Sequence, residues 1–293
     1  MRCPRADTHQ PHAVYGGTLL TCRACGLVYW PQRWDAQQAQ VHYDGYYRHE
    51  PITYDPLTER RYHEVLQSLE RLGPKGAMLD VGCGAGHLLA VAAARGWEAV
   101  GIEVSQSALQ TVGQLKRAAG PRFRVLQGTL EECELAPGSL RLVTMIEVLE
   151  HLADPLETLR RVSALLAPGG LLYLTTPNYH SLSRRLLGPR WRVIAPEHQS
   201  LFTAASVRRY LRASGLRLMR LRTKNLDLTE LLAKWRRREG APPQHGAARQ
   251  QAQALRHALE QGARPRLAKR IVNLLLGATG AGDTIETLAM APR

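Results

Sequence analysis

The run Asp80-Val81-Gly82-Cys83-Gly84-Ala85-Gly86 is the clearest chemical feature of the chain. Glycines at alternate positions let the backbone turn tightly and approach a ligand that any Cβ atom would block. Many nucleotide-binding sheets have such a loop, so the glycines alone do not identify the ligand. A loop that binds a pyrophosphate should avoid a carboxylate, because like charges repel at a few ångströms. Asp80 therefore favours a ligand that carries an ammonium group and a cationic centre but no phosphate.

Two carboxylates and an imidazole stand close together at Glu147, Glu150 and His151. Positions i, i+3 and i+4 would lie on the same side of one helical turn. An imidazole has a pKa near neutrality, so His151 is the leading candidate for a base that deprotonates a hydroxyl or an acidic carbon. The same three side chains could instead bind a divalent cation. In a structural interpretation, Glu150 and His151 only brace a loop through hydrogen bonds.

The five cysteines stand at positions 3, 22, 25, 83 and 133. An odd number with a single Cys-x-x-Cys pair is not typical of a secreted disulfide framework, and it favours metal binding. Cys22 and Cys25 would form half of a zinc site, with Cys3 and either His9 or His12 as the other ligands. Alternatively, this part of the chain has lost its metal and folds on its apolar residues alone.

The net charge of +14 is concentrated in one part of the chain. Residues 181–293 hold 22 basic and 7 acidic residues, whereas residues 1–180 hold 17 and 18. A basic surface attracts nucleic acid, anionic lipid or a phosphorylated substrate. Only four aromatic residues accompany these 22 cations, which favours solvated helices instead. The chain begins without a signal-peptide pattern, and its apolar run at 271–276 is too short to span a bilayer, so we expect a cytoplasmic protein.

From residue 77 onward, strand and helix patterns alternate, which is typical of a parallel sheet covered on both faces. The patterns predict strands at 78–81, 99–103, 123–127, 142–146, 171–175 and 216–221, and a last strand at 284–290. Pro168-Gly169-Gly170 is expected to end the helix before the fifth strand. In such sheets the ligand lies at the carboxyl ends of the strands. Glu103 ends the second strand, where an acid usually binds a ribose diol. S-adenosylmethionine has an ammonium group, a cationic sulfonium and a ribose, so it suits both acids.

Several ordered motifs now resemble those of the class I S-adenosylmethionine-dependent methyltransferases. The matching stretches are Leu79–Gly86, Gly101–Ser105, Glu147–Leu152 with Asp154-Pro155, and Leu166–Gly170 with Thr176-Pro177-Asn178. The resemblance is greatest to the branch with a cysteine-rich N-terminal module. The Glu-x-x-Glu-His pattern is similar to that of ubiquinone-pathway O-methyltransferases, in which it has been associated with a divalent metal.

The resemblance implies an α/β fold, with a Rossmann-like doubly wound sheet of seven strands whose last strand is antiparallel. It assigns the methionine part of the cofactor to Asp80, Gly82, Gly84 and Gly86, and the ribose to Glu103. Thr129 and Leu130 would flank the adenine, and Ile146 would lie beside the sulfonium. The family usually has an acid where this chain has Thr129. In this family, acceptor substrates usually bind to the part of the chain that follows the fifth strand. That part contains Tyr179, His180 and His198, each of which is either a substrate contact or a packing residue.

We predict five segments: a zinc-ribbon-like module at 1–30, a helical segment at 31–74, the cofactor-binding domain at 75–224, a basic helical lid at 225–281 and the last strand at 282–293. The predicted function is O- or C-methylation of a small molecule, lipid or saccharide. One alternative is an RNA or protein methyltransferase, which the basic region favours and the absence of an Asn-Pro-Pro-Tyr-like motif opposes. Another is a non-catalytic cofactor-binding protein on a decayed methyltransferase frame. The basic helix around 269–276 is a candidate for peripheral membrane contact.

Overall fold

The structure is a computed structural model that describes residues 9–12, 19–32, 34–49, 56–119, 123–227, 230–231 and 263–292. The first half contains β1 (His9–His12), β2 (Leu19–Cys22), β3 (Val28–Tyr29), α1 (Ala36–His49), α2 (Pro56–Glu70), β4 (Ala77–Val81), α3 (His87–Ala94), β5 (Glu98–Glu103), α4 (Gln106–Ala119) and β6 (Arg124–Gln127). The second half contains β7 (Leu140–Ile146), α5 (Pro155–Leu165), β8 (Leu166–Pro177), α6 (Leu182–Leu187), β9 (Ser200–Leu201), α7 (Ala204–Ala213), β10 (Arg217–Lys224), α8 (Ala263–Thr279) and β11 (Thr284–Met290).

Seven strands form the main sheet, in the order β10-β11-β8-β7-β4-β5-β6. The neighbours from β6 to β8 are parallel, and β11 runs antiparallel to both β8 and β10. This arrangement confirms the Rossmann-like sheet with an antiparallel last strand. The chain reverses direction across the sheet between β4 and β7, so the ends of these two strands flank the crevice where such sheets bind ligands.

Helices cover both faces of the main sheet, as the nearly continuous apolar strands require. On one face, α2, α3 and α4 contribute Leu66, Leu89 and Val112 to an apolar cluster. On the other face, α5 and α7 pack residues such as Leu159 and Tyr210 against the sheet. The two layers hold the carboxyl ends of β4, β5 and β7 rigidly at one edge.

The Pro168-Gly169-Gly170 segment differs from our prediction that it ends a helix. Helix α5 ends at Leu165, and β8 begins at once and runs through all three residues. The pairing with β7 shifts between Leu140 and Leu142, which creates an irregularity that absorbs the extra residues. Gly169 has a φ of +75°, and a Cβ atom at Gly170 would lie 2.8 Å from the Leu140 carbonyl oxygen. Gly169 and Gly170 thus allow strand β8 to bulge at this point.

A second, smaller sheet has the order β1-β2-β3-β9. Its first three strands come from the segment predicted as a module at 1–30, whereas β9 follows β8 by more than twenty residues. Cys22, Cys25 and Leu27 also join the same apolar cluster as Leu149 and Phe202. The N-terminal strands therefore share both a sheet and a core with later parts of the chain.

Part of the predicted insertion at 225–281 is described as α8, while residues 228–229 and 232–262 lie outside the described residues. Thr223 Oγ1 donates a hydrogen bond of 2.7 Å to the Leu276 carbonyl oxygen, which attaches α8 to the edge strand β10. None of the helices among the described residues is long and apolar enough to cross a membrane.

Candidate functional site

The glycine loop follows β4 and has the backbone shape that the sequence predicts. Gly82, Gly84 and Gly86 have φ angles of +67°, +52° and +80°, which side-chain-bearing residues rarely adopt. A Cβ atom at Gly82 would lie 2.7 Å from Val148 Cγ2. The loop therefore needs glycine both for its conformation and for its close approach to the segment after β7.

Asp80 lies at the centre of this edge and is buried. Thr144 Oγ1 donates a hydrogen bond of 2.6 Å to its Oδ1 atom. Burial raises the pKa of Asp80 to about 7, with a further increase from the charge of Glu103, although the Thr144 hydrogen bond opposes both. A carboxylate held in this way gains from a nearby cation, because a cation would restore the charged form that burial disfavours.

Glu103 joins the glycine loop to the end of β5. Its two carboxylate oxygens accept hydrogen bonds from the Gly84 amide (2.8 Å) and the Ser105 amide (2.9 Å). Burial raises the pKa of Glu103, whereas these backbone hydrogen bonds lower it. The two acids expected from the sequence therefore lie on adjacent strands at the same edge of the sheet, as parallel pairing of β4 and β5 requires.

The loop after β6 contains a residue that the sequence analysis missed. The Thr129 amide and hydroxyl donate to Glu132 Oε2 at 2.7 and 3.0 Å. A Cβ atom at Gly128 would lie 2.9 Å from the same oxygen. The Glu132 carboxylate thus lies against the Gly128–Thr129 backbone, next to the position where the family usually has its acid. Leu130 is buried in the core, and Ile146 lies half-buried at the end of β7.

Glu147, Glu150 and His151 do not share one helical turn, contrary to our expectation from their spacing. Glu147 has a φ of +54° and lies between β7 and a short 3-10 helix, Leu149–His151. Its amide donates to the Thr175 carbonyl oxygen at 3.0 Å, which turns the chain sharply before that helix begins. A positive φ outside glycine is strained and is found preferentially at functional sites. The Glu147 side chain is exposed, yet surrounding protein raises the pKa of its carboxyl by desolvation.

Glu150 is fully buried on the short 3-10 helix. Thr176 Oγ1 donates a hydrogen bond of 2.8 Å to its Oε2 atom. Its Oε1 atom has no hydrogen-bond partner in the part of the chain that the structure describes. Burial raises the pKa of Glu150, and the charge of Glu147 adds to the effect. A buried carboxylate oxygen without a partner is costly unless a ligand or a cation completes it.

His151 and His198 lie side by side next to this oxygen, with ring centroids 4.7 Å apart. The Nδ1 atom of His151 lies 2.9 Å from the Glu197 carbonyl oxygen, and that of His198 lies 2.7 Å from the Val193 carbonyl oxygen. A carbonyl oxygen only accepts, so both Nδ1 atoms carry the proton and both Nε2 atoms carry a lone pair. Burial lowers the pKa of His151 to about 3, assisted by His198, and burial also lowers the pKa of His198.

Three potential ligand atoms consequently converge, one each from Glu150, His151 and His198, all within 4.8 Å of one another. Their spacing along the chain suggested a group of Glu147, Glu150 and His151, whereas in the fold His198 lies with Glu150 and His151. Tyr179 is buried, with the Arg184 guanidinium 4.2 Å above its ring. His180 is exposed, and its amide donates to the Asn178 side chain.

Helix α1 connects the two groups of residues, a role that the sequence analysis did not assign to it. The Tyr43 ring contacts the His151 ring edge-on at 5.7 Å. Burial raises the pKa of Tyr47, and the charge of Glu103 raises it further. Asp44 Oδ1 accepts hydrogen bonds from Ser105 Oγ (2.8 Å) and the Ser107 amide (3.1 Å), at the start of α4. The tyrosine spacing along one helix was the available signal, but only the fold shows what the tyrosines face.

At the N-terminus, Cys22 and Cys25 are buried on one tight turn, in which the Gly26 amide donates to the Cys22 carbonyl oxygen at 2.7 Å. His9 is directly opposite Cys22 in the β1–β2 pair. Cys3 lies outside the described residues.

The family model for a methyltransferase domain matches residues 57–221, which contain both groups of residues. The chain belongs to this methyltransferase domain family. Over 111 residues it is 37% identical to a ubiquinone biosynthesis O-methyltransferase of Pseudomonas paraeruginosa, a match that covers 37% of this chain and 48% of the relative. A ubiquinone biosynthesis O-methyltransferase of Aliivibrio fischeri is 33% identical over 119 residues, with 40% of this chain and 50% of the relative covered. The match spans about half the length of these curated relatives.

Solved structures of the same fold include proteins that differ in their named reactions. The [4+2]-cyclase SpnF aligns with a TM-score of 0.58 and 16% identity, covering 89% of this chain and 98% of that one. A geranyl diphosphate C-methyltransferase from Streptomyces coelicolor A3(2) aligns with a TM-score of 0.54 and 16% identity, covering 80% and 79%. At such identities the likeness shows the fold alone, and the reaction must be argued from the site.

Proposed function

We propose that the protein is an S-adenosylmethionine-dependent methyltransferase that methylates a hydroxyl group of a small molecule. The observation that carries this proposal is the pair of buried acids, Asp80 and Glu103, on either side of a loop that only glycine can form. Family membership and the ubiquinone O-methyltransferase relatives support the same chemistry. When bound, S-adenosylmethionine supplies a methyl group on a cationic sulfonium that a nucleophile can displace.

The residues at the sheet edge fit this cofactor. The raised pKa of Asp80 marks a carboxylate that an ammonium group would stabilise. The glycine loop offers backbone where a Cβ atom would otherwise stand. We assign the methionine part to Asp80 and the glycines at 82, 84 and 86, the ribose to Glu103, the adenine to Thr129 and Leu130, and the sulfonium end to Ile146.

Glu132 extends this assignment to the adenine. The family usually has an acid in place of Thr129, and the Glu132 carboxylate lies against the Thr129 amide. We infer that Glu132 supplies the carboxylate that recognises the exocyclic amino group. Glu132→Gln would then weaken cofactor binding more than the exchange of its exposed neighbour Glu134→Gln.

On the acceptor side, we propose a divalent cation held by Glu150, His151 and His198. Two neutral imidazole nitrogens and a carboxylate oxygen that accepts no hydrogen bond from the described residues form a common donor set for such ions. Backbone carbonyl groups fix the tautomers of both histidines, as they often do around metal ligands. When bound, a cation would lower the pKa of a coordinated acceptor hydroxyl.

His151 suits the role of metal ligand better than that of a free base. A pKa lowered to about 3 makes the imidazole a weak proton acceptor near neutrality. Glu147, whose pKa is raised by desolvation, is the better candidate for accepting a proton from the acceptor, since Glu150 is assigned to the cation. Its side chain is exposed and would meet the acceptor directly.

For the N-terminal sheet, we propose a structural zinc ion bound by Cys22, Cys25, His9 and Cys3. The buried Cys-x-x-Cys turn and the pairing of His9 with Cys22 support this donor set.

The proposed acceptors include lipids and saccharides as well as other small molecules. Methylation of a carbon atom is the alternative to methylation of a hydroxyl group.

Calorimetric titration with S-adenosylhomocysteine tests the cofactor assignment. We expect micromolar binding by the wild-type protein and its loss in Glu103→Ala. Glu98→Ala changes an exposed acid at the other end of the same strand and should bind as the wild type does. A folded wild-type protein that does not bind would contradict the proposal.

A cofactor-binding protein that does not transfer a methyl group is the second candidate, because a protein named as a [4+2]-cyclase has the same fold and the fold alone does not require methyl transfer. The two candidates differ in product. A transferase converts S-adenosylmethionine to S-adenosylhomocysteine in the presence of a hydroxyl-bearing small-molecule acceptor, whereas the second candidate binds the cofactor and leaves it intact.

A further inference from the structure

The hydroxyl group of Tyr43 is buried and has no hydrogen-bond partner among the residues that the structure describes. Its ring contacts His42 and His151 edge-on, with ring centroids 5.1 and 5.7 Å apart, and these contacts restrict the direction of its C–O bond. Leaving a buried hydroxyl group without a partner costs free energy, so such a group calls for an explanation, such as a ligand that completes it.

Helix α1 turns Tyr43 and Tyr47 toward the same side. They are four positions apart, which places them on one face of the helix. Both are half-buried, whereas Tyr46 is 44% exposed. Burial raises the pKa of Tyr47, and the charge of Glu103 raises it further. The inner face of α1 therefore runs along the site, with Tyr47 near Glu103 and Tyr43 against His151.

Acids from both groups of site residues act on the Tyr43 hydroxyl. Burial raises the pKa of Tyr43, and among the nearby charges that of Glu150 raises it most, with further increases from Glu197 and Glu103. Tyr43 therefore keeps its proton at neutral pH and can donate a hydrogen bond. Its hydroxyl group lies within reach of the charges of both Glu103, the proposed ribose acid, and Glu150, in the proposed cation site.

Glu150 carries a second buried atom that lacks a partner, and this atom is an acceptor. Its side chain is 1% exposed, and its Oε1 atom accepts no hydrogen bond from the part of the chain that the structure describes. The site thus offers an unused donor at Tyr43 and an unused acceptor at Glu150. An acceptor hydroxyl oxygen has two lone pairs, one for the cation proposed at Glu150 and one for the Tyr43 donor.

We propose that the Tyr43 hydroxyl donates a hydrogen bond to the oxygen atom that receives the methyl group. This inference rests on the proposed transferase function and adds a substrate-contact residue to it. The hydrogen bond holds that oxygen at a fixed point, and alignment of the reacting atoms is a large part of what a protein contributes to such a transfer. Because Tyr43 keeps its own proton, it orients the acceptor and does not act as a base.

A comparison of phenol with toluene tests the proposal, because phenol has a hydroxyl group where toluene has a methyl group. Each probe is titrated calorimetrically into the full chain saturated with S-adenosylhomocysteine. The wild-type protein should bind phenol more tightly than toluene. Tyr43→Phe should weaken phenol binding about three- to tenfold and leave toluene binding unchanged, since only phenol can accept the hydrogen bond.

Tyr46→Phe is the matched control, since it removes an exposed hydroxyl group from the same helix and should bind both probes as the wild type does. Equal weakening of phenol and toluene in Tyr43→Phe would overturn the proposal, because the tyrosine would then only fill space. Unchanged phenol binding would overturn it as well. S-adenosylhomocysteine should bind equally to all three proteins, and a wild type that does not bind it would instead contradict the proposed function.

Denaturant unfolding of the free protein gives a second readout. Because the Tyr43 hydroxyl has no partner among the described residues, Tyr43→Phe should unfold at the same denaturant concentration as the wild type or at a higher one. A lower midpoint would show that the hydroxyl group already stabilises the free protein through a partner of its own, and it would overturn the assignment of this donor to the acceptor.

Discussion

At the scale of single residues, the site depends on ionisable groups whose surroundings differ from water. Asp80, Glu103 and Glu150 are buried acids with raised pKa values, and His151 is a buried histidine with a lowered one. Each pays a desolvation cost that a ligand of complementary charge would offset. Such a concentration of perturbed groups at one sheet edge is typical of a functional site.

Cofactor binding should weaken as the pH falls below about 7. Asp80 then takes up a proton and loses the charge that an ammonium group stabilises, so the affinity for S-adenosylhomocysteine should fall by up to about tenfold per pH unit. Glu103 has a raised pKa and acts in the same direction. Calorimetry from pH 6 to pH 8 measures the effect. In Asp80→Asn, binding should be weak and depend less on pH; a wild-type affinity that is constant across this range would refute the role of Asp80.

Asp80 should lower the free energy of unfolding when no ligand is bound. Because the pKa of Asp80 lies at about 7 in the folded protein and near 4 in an unfolded chain, folding becomes less favourable as the pH rises between these values. Asp80→Asn removes this cost and retains an acceptor for Thr144. We expect its free energy of unfolding to exceed that of the wild type by about 1–3 kcal/mol at pH 8, with little difference at pH 4. Denaturant unfolding at the two pH values provides the check.

His198→Gln should weaken binding of Mn²⁺ or Zn²⁺ by at least about tenfold, because it removes one of the three converging ligand atoms. Metal titration followed by calorimetry measures this change. Binding of S-adenosylhomocysteine should stay as in the wild type, since His198 is not assigned to the cofactor. The exposed His180→Gln serves as the control. If His198→Gln and the wild type bind the ion equally, the proposed donor set is wrong.

At the scale of elements, Asp44 attaches α1 to the protein near the cofactor edge. Asp44 caps the start of α4 through Ser105 and Ser107, and Ser105 in turn donates its amide to Glu103. Helix α1 thereby places Tyr43 against His151 and Tyr47 near Glu103. The helix thus links His151 to Glu103, the acid that we propose binds the ribose.

Asp44→Ala should lower the free energy of unfolding by about 1–2 kcal/mol, as the loss of a helix cap does. Release of α1 should also let S-adenosylhomocysteine dissociate several-fold faster, which stopped-flow displacement can measure. Asp44→Asn keeps an oxygen acceptor and should restore most of both properties. A dissociation rate in Asp44→Ala equal to that of the wild type would show that α1 does not retain the ligand.

At the scale of the whole molecule, the N-terminal strands and the main sheet are joined. Strand β3 pairs with β9, and Leu27 lies in the same apolar cluster as Leu149 and Phe202. Because these contacts connect distant parts of the chain, the two sheets should unfold together. The segments on either side of the predicted boundary at residue 30 therefore contribute to the same apolar cluster.

Leu27→Ala should lower the free energy of unfolding of the whole chain by about 2–4 kcal/mol, since it empties a fully buried site. The unfolding transition should move as one when followed by both circular dichroism and tryptophan fluorescence. Leu72→Ala, at an exposed site, should change little. A variant in which only a small early transition shifts would indicate that the N-terminal sheet unfolds on its own.

The sequence alone determined the central sheet and its cofactor edge. Strand periodicity, the glycine loop, and the acids at 80 and 103 are local patterns, because neighbouring residues decide whether a strand ends in a tight turn. The tertiary structure decided which residues and strands that are distant in sequence come into contact. His198 lies 47 residues from His151, Asp44 lies 61 from Ser105, and β9 pairs with β3 over a still longer separation. Sequence spacing also misassigned Glu147 to a helical turn, because hydrogen bonding to Thr175 bends the backbone there. Contacts between distant loops depend on how helices pack on the sheet, and no local pattern encodes that packing.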